Sequence, residues 1–468
     1  MLTIIFVFAF LIAGLIAVIA LDRKFSKSAS IIASAGALAV VLFMVFGQFA
    51  GINLQNSGTL YQFATDFGIA LSFNIGTIQM ILLAASSVIL LGSVLAIHYS
   101  KNRKSAYALA LLFGISSAGI FTTSNLIFFF VFWDIGLIAL FFTIGFLGYA
   151  NRKVASQKFL IYSFASSTLL LLGILLIYFY SPVHSFDMQY IMQNGSAIPN
   201  AVQVLIFAVL AVAFLIKMPV FPFHLWMNRA YTEAPTQGSM LLSGVLSKYG
   251  AYGLLLLFLM LPIAQKFAPY IAALAVLSSL YAAFLAIRQT DMKQMLAYVS
   301  MAEVGILVLG IASGTLIGTN GAAYGMLTQG LSMALLFLAV GYIEYMFGTR
   351  DIRMLRGIVN SSNATTYSFF IGFLAVVGLP LTAGFIAELM IFMGAYSAFG
   401  LYAIAMFAVL ILIAANFYFV ISKSMLSTEE SANPAKLLTA KHWIAYALLM
   451  FFIFFFGIFP FIFFNAVV

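Results

Sequence analysis

The sequence predicts an all-α, polytopic membrane protein with about 14 transmembrane helices. Three observations carry that prediction. Of 468 residues, 64% are hydrophobic and only 7% charged, whereas about a quarter of a soluble protein is charged. Too few polar side chains remain to cover a globular surface, so the solvent must be largely lipid. The chain also divides into apolar stretches of about 20 residues, the length a helix needs to cross the hydrocarbon core. Finally, the bases collect in alternate loops, as the positive-inside rule requires of a chain crossing repeatedly.

The predicted spans run 2–21, 29–50, 78–98, 105–121, 125–149, 159–181, 201–227, 236–262, 268–287, 294–314, 321–347, 366–397, 401–422 and 443–466. In the first, Arg23, Lys24 and Lys27 follow the apolar run rather than precede it. A signal peptide has the opposite order, so this reads as an uncleaved span. Spans 4 and 5 are separated only by "TTSN" at 122–125, which must be a tight turn. The longest polar segments, 51–77, 182–200 and 423–442, are too short for a soluble domain. Loops after odd-numbered spans hold 18 of the 21 Lys and Arg, and loops after even-numbered spans hold one, Lys266. That asymmetry puts the odd loops in the cytoplasm and both termini outside.

Spans 7 and 12 contain helix breakers. Span 7 breaks at "KMPVFP", with Pro219 and Pro222, and span 12 at "GLPLTAG", with Gly378, Pro380 and Gly384. Proline removes a backbone donor and clashes with the preceding turn. Within a bilayer such breaks are tolerated only inside protein or beside a water-filled cavity. Spans 4–8 and 9–13 form two units of five, inverted relative to each other because five is odd, and the fourth member of each is broken. Matched broken spans point to an inverted-repeat transporter. The expected organisation is helices 1–3 (1–104), a first five-helix repeat (105–265), a second, inverted repeat (266–425), and a C-terminal loop and helix 14 (426–468).

Apart from Glu344 near the end of span 11, five Asp, Glu and Lys residues lie inside spans: Asp134, Lys217, Lys248, Glu303 and Glu388. Each mid-membrane charge costs about 2.5–3.5 kcal/mol on insertion scales, so intramembrane charges are functional candidates by default. The competing reading is structural: Asp134 and Lys217 could be a buried pair that only fixes packing. Acids and bases distributed over spans 5, 7, 8, 10 and 12 fit a proton relay better. Lys217 lies nearer the cytoplasmic end, from which a lysine can also snorkel to the surface. His224 stands near the same end, as an interfacial histidine or a point of proton uptake. Glu233 reads as a cap for the next helix, and Glu344 as an interfacial acid.

Composition excludes other classes. The net charge of +9 lies in short loops, with no extended basic patch for nucleic acid. Cysteine is absent, which excludes disulfides, thiol catalysis and cysteine-ligated clusters in this chain. Four scattered histidines give no metal-ligand spacing.

The block "KMPVFPFHLWMNRAYTEAPTQGSMLLSGVLSKYGAYGLLL" (217–256) resembles the signature of the antiporter-like subunits of respiratory complex I and of multi-subunit Na⁺/H⁺ antiporters. "TDMKQMLAYVSMAEVGILVLGI" (290–311), "GTRDIRMLRGI" (348–358) and "GLPLTAGFIAELMIF" (378–392) are similar to further blocks of that family. The resemblance covers roughly 80–425. It implies a proton-relay role for Asp134, Lys217, Lys248 and Glu388. Glutamate at 388 resembles the M-type subunit more than the L or N types. Three positions depart from the family: Asp134 is one methylene shorter than the usual glutamate, so its partner distance must differ; Gln329 replaces a frequent histidine and could act only through water; and Glu303 stands where M-type chains often have histidine. The resemblance further implies a proton-translocating subunit of an NADH/quinone-type oxidoreductase in the cell membrane. Other membrane-arm subunits would be its partners. It implies no cofactor in this chain, with quinone, flavin and iron–sulfur clusters in partner subunits. The alternatives are a subunit of a Na⁺/H⁺ antiporter or membrane-bound hydrogenase complex, and a passive scaffold.

Overall fold

The computed structural model describes residues 2–52, 58–64, 67–97, 102–427, 438 and 440–464. Helices follow in chain order as α1 (Leu2–Ala20), α2 (Arg23–Phe49), α3 (Thr77–Leu95), α4 (Arg103–Thr122), α5 (Leu126–Leu147), α6 (Arg152–Tyr180), α7 (Met188–Asn194), α8 (Asn200–Lys217), α9 (Met227–Glu233), α10 (Thr236–Leu241), α11 (Ser247–Met260), α12 (Ala264–Ile287), α13 (Met292–Ala312), α14 (Leu316–Phe347), α15 (Ile358–Ser361), α16 (Asn363–Val376), α17 (Ala383–Phe399), α18 (Ala405–Val420), α19 (Ala440–Ile458) and α20 (Phe461–Phe464). A π turn, Leu242–Leu246, joins α10 to α11. One antiparallel hairpin, β1 (Gly58–Ala64) with β2 (Ile69–Phe73), lies in the predicted 51–77 loop.

Among the described residues twelve helical stretches are long and apolar enough to cross a membrane, and two shorter apolar helices, Asn363–Val376 and His442–Ile458, accompany them. Eleven of the twelve match predicted spans 1–11; the twelfth is the 43-residue stretch Ala383–Met425. That stretch doubles back at Gly400, since Phe392 and Phe407 face each other with ring centroids 4.7 Å apart. The predicted "TTSN" turn separates α4 from α5. Most of the predicted 423–442 loop lies outside the described residues.

Burial sorts the helices. Thr236–Met260 and Leu316–Phe347 are buried throughout their most apolar 18 residues and Met292–Ala312 over 94% of them, but Leu2–Ala20 over only 28%. Burial runs against hydropathy here, highest for Leu2–Ala20 and lowest for Thr236–Met260, because the most apolar helix can face lipid while helices that carry polar side chains are enclosed by protein. Contact there depends on small residues, as in membrane helix pairs generally: a Cβ on Gly330 of α14 would lie 2.7 Å from the Gly244 carbonyl oxygen.

The loops separate into two ends. At one, Asn125 Nδ2 donates to Gly68 O, Leu126 N to Phe186 O and Met188 N to Ser124 O, so the segments after spans 2, 4 and 6 are tied together. At the other, residues 149–151, 232–235, 290–293 and 344–352 converge on one cluster of charges.

Candidate functional site: a buried row of charges

Both predicted breaks are present. Helix α8 ends at Lys217, and helical structure resumes in the 3₁₀ turn Phe223–Trp226. Helix α16 ends at Val376 and α17 starts at Ala383, with Gly378 at φ +70° and Leu381 at φ +77° between them.

Lys217 is fully buried, so its amine does not reach the surface. As the last residue of α8 it places its charge at the negative end of the helix dipole, where a cation is stabilised. Its Nζ lies 4.8 Å from the centre of the Trp133 ring, a cation–π contact. The expected direct ion pair with Asp134 is not formed: Lys217 Nζ has no hydrogen-bond partner among the described residues. Instead the Asp134 carboxylate on α5 accepts a hydrogen bond from Ser167 Oγ on α6. The physical reason is competition. The hydroxyl of Ser167 takes the acid, and the indole beside it takes the cation, so the two groups are neighbours but not bonded.

Lys248 follows the π turn. Such a turn frees backbone carbonyls and recurs at functional sites. Here Lys248 Nζ donates to the Ser243 carbonyl at 2.7 Å, inside that turn, and to Ser247 Oγ at 3.2 Å. Ser243 Oγ in turn meets Ser300 Oγ of α13 at 2.8 Å. Gln329 Nε2 of α14 donates to the Ser300 carbonyl at 3.3 Å. Glu303, one turn beyond Ser300, and Gln329 each keep one buried oxygen without a protein partner.

Glu303, Gln329 and Glu388 line one small cavity of about 10 Å³, shared with Thr328 and Gly384. Glu388 also borders a larger cavity of about 310 Å³ between α17 and α18, walled by Phe385, Phe392, Met406 and Leu410. The structure therefore gathers Lys248, Glu303, Gln329 and Glu388 into one row across α11, α13, α14 and α17, and sets Asp134 and Lys217 beside each other on α5 and α8. His224 is apart from both. It is buried against Phe221 and Tyr281, with ring centroids 5.9 and 5.3 Å away.

Sequence reasoning missed the charge cluster at the loop end. Lys293, counted among the loop bases, is fully buried in the first turn of α13. Its Nζ donates to the Ala234 carbonyl at 3.0 Å, pairs with Glu344 at 3.7 Å and lies 4.4 Å from the centre of the Tyr149 ring. Arg350 bridges Asp291 and Glu344 and donates to the Thr232 carbonyl. Tyr149 donates to Glu344 at 2.7 Å. Burial, reinforced by the Glu344 carboxylate, holds the Tyr149 hydroxyl well above the usual tyrosine range. Burial works against the charge on Arg350, but Glu344 and Asp291 more than offset it and raise its pKa. Glu233 caps a helix, but the one that begins beside Asn151 rather than the next one: its Oε2 accepts from Asn151 N at 2.9 Å. The missed signal was spacing, since Lys293, Ser300 and Glu303 share one face of α13.

Comparison with known proteins adds an independent line. Residues 123–414 match the family described as "NADH:quinone oxidoreductase/Mrp antiporter, TM". NADH-quinone oxidoreductase subunit M of Rickettsia conorii is 35% identical over 371 residues, spanning 77% of this chain and 74% of that one. F(420)H(2) dehydrogenase subunit M of Methanosarcina mazei is 33% identical over 385 residues, 78% and 77% of the two chains. Among solved structures, respiratory complex I from Thermus thermophilus contains a chain that superposes with a TM-score of 0.90 at 23% identity, covering 99% and 97% of the two chains. A chain of the Mrp complex from Dietzia superposes with a TM-score of 0.85 at 18% identity, over 97% and 94%. At these identities the structural matches establish the fold.

Proposed function

Because this chain belongs to the NADH:quinone oxidoreductase/Mrp antiporter transmembrane family, we propose that it is an M-type subunit that carries protons across the membrane for a complex I-like oxidoreductase. One observation carries the reading: buried Glu303 and Gln329 share a cavity with the partly buried Glu388 beside a broken helix, and buried Lys248 is tied to the same helix as Glu303 through Ser243 and Ser300. Charges this deep are costly unless used. Protons enter from the cytoplasm toward Lys248, pass Glu303 and water held by Gln329, and reach Glu388 on the way out. Asp134 and Lys217 act as the switch. When Ser167 releases the carboxylate, Asp134 can close on the ammonium and withdraw its field from Lys248. The row and the neighbouring Asp134–Lys217 site together hold two amines, which cannot ligate a hard cation, and this favours H⁺ over Na⁺. Electron transfer, with its quinone, flavin and iron–sulfur clusters, belongs to partner subunits, and other membrane-arm subunits deliver the drive. The two five-helix units, fourteen crossings and outward-facing termini are part of this proposal.

The test is Glu388→Gln and Lys217→Ala, each in the assembled complex in sealed membrane vesicles. Protons moved per electron fall in both while the complex still assembles. Normal assembly with an unchanged ratio would mean that the buried charges only specify packing.

A further inference from the structure

The row has an inner end at Lys248, and a second polar file runs from there to the charge cluster. Along the segment that carries Lys248, hydroxyls recur at Thr236, Ser239, Ser243 and Ser247. Opposite them α13 presents Lys293, Ser300 and Glu303. The two elements are joined at two levels. Near the loop end, Lys293 Nζ donates to the Ala234 carbonyl at 3.0 Å; Ser239 Oγ, which donates to the Tyr231 carbonyl at 2.8 Å, lies 3.4 Å from that same Ala234 oxygen. One helical turn past Ser239, Ser243 Oγ meets Ser300 Oγ directly. From Ser243, Lys248 is reached through the Ser243 carbonyl and Ser247 Oγ. Ser239, Ser243, Ser247, Ser300 and Lys293 are all at most 1% exposed.

A stripe of serines alone would be packing. The independent observation is at its inner end, where Glu303 and Gln329, 7% and 5% exposed, each keep a buried oxygen without a partner, and Gln329 is itself bonded to the Ser300 carbonyl of the file. Such groups call for water, and water together with hydroxyls conducts protons. His224, the other candidate for uptake, is enclosed by Phe221 and Tyr281 and leads to neither file.

We propose that this file is the cytoplasmic uptake path and that Lys293 is its mouth. The inference rests on the proton-translocating reading above. Lys293 passes a proton from its ammonium inward and regains one through the partly exposed Glu344 carboxylate 3.7 Å away, which takes its own from the cytoplasmic side; Tyr149 holds the amine in place. Each hydroxyl then accepts a proton on oxygen as it releases its own to the next water or hydroxyl, so no net charge accumulates along the file.

The experiment compares Ser239→Ala, Ser243→Ala, Ser300→Ala and Lys293→Gln with Glu388→Gln, all in the assembled complex in vesicles. Ser93→Ala serves as control. It removes an equally buried hydroxyl on α3, one bonded only to its own helix at the Leu90 carbonyl. We expect protons per electron in the file variants to fall to the Glu388→Gln level, with a larger solvent deuterium effect on the serine variants than on wild type. If Lys293→Gln prevents assembly, the serine variants decide. Serine variants that pump like Ser93→Ala while Glu388→Gln is impaired would overturn the path and leave the relay standing. An unimpaired Glu388→Gln would overturn both.

Discussion

At Gly378 the backbone takes φ +70°, and a Cβ there would lie 2.2 Å from Glu388 Oε2. An L-residue at positive φ costs roughly 1–2 kcal/mol, and the added methyl would also push the carboxylate out of the cavity it lines. Gly378→Ala is therefore expected to lower both the melting temperature of the complex and protons moved per electron; unchanged pumping would show that the carboxylate position is not set by this contact. Tyr149 gives a pH prediction. Its folded pKa is raised, first by burial and then by Glu344. Its contribution is thus fully present below the unfolded tyrosine pKa of about 10 and is lost as pH rises toward the folded value. The stability difference between wild type and Tyr149→Phe should shrink as pH rises above about 10, read by thermal unfolding at each pH. At this scale the sequence was informative wherever cost marked a residue. A lysine or glutamate inside an apolar run stands out, and Lys217, Lys248, Glu303 and Glu388 were all found that way. Ser243, Ser300 and Ser167 carry no such mark, because a buried serine can bond to its own helix at little cost, as Ser93 does.

At the scale of elements, composition revealed the two broken helices, because proline and glycine declare a break in any apolar run. The π turn before Lys248 was hidden. In "LLSGVLSK" Gly244 lowers helical propensity by about 1 kcal/mol, but nothing there specifies a π turn, and the extra residue shows only in the hydrogen-bond register. Its effect on aim is large. Deleting Val245 would restore α-helical register and turn Lys248 by about 100° about the axis, since each residue of a 3.6-residue turn subtends that angle. The amine would leave the Ser243 carbonyl. The expected outcome for the deletion is an assembled complex whose electron transfer persists but whose proton movement per electron drops as far as in Lys248→Ala. Equal pumping in the deletion and wild type would mean that Lys248 finds its partners without the turn. The hairpin β1–β2 was likewise unread, because it is short and lies in a segment long enough to be only a loop.

For the whole molecule, orientation is the property that the loops argue most directly. Charge asymmetry in the sequence put the odd-numbered loops in the cytoplasm, and the structure gathers 149–151, 232–235, 290–293 and 344–352 at one end and the segments around Gly68, Ser124 and Phe186 at the other. The burial of Lys293 refines the electrostatic argument, since a base locked against Glu344 is no longer a free surface charge. Arg353 and Val183 mark the two ends and are exposed, the Arg353 side chain at 66% and Val183 at 64%. The Asp351 carboxylate beside Arg353 is held below its usual pKa by hydrogen bonds from that residue, so the ion pair forms at neutral pH. It is solvent-exposed, and a surface pair contributes about 0–1 kcal/mol, so replacing Arg353 leaves the fold intact. The chain has no native cysteine, so Arg353→Cys and Val183→Cys each provide a single reporter within it. A membrane-impermeant thiol reagent should label Arg353→Cys only from the cytoplasmic face and Val183→Cys only from the opposite face. The reverse pattern would invert the direction assigned to the whole relay, and labelling of both from one face would break the alternation of crossings on which the two-unit architecture depends.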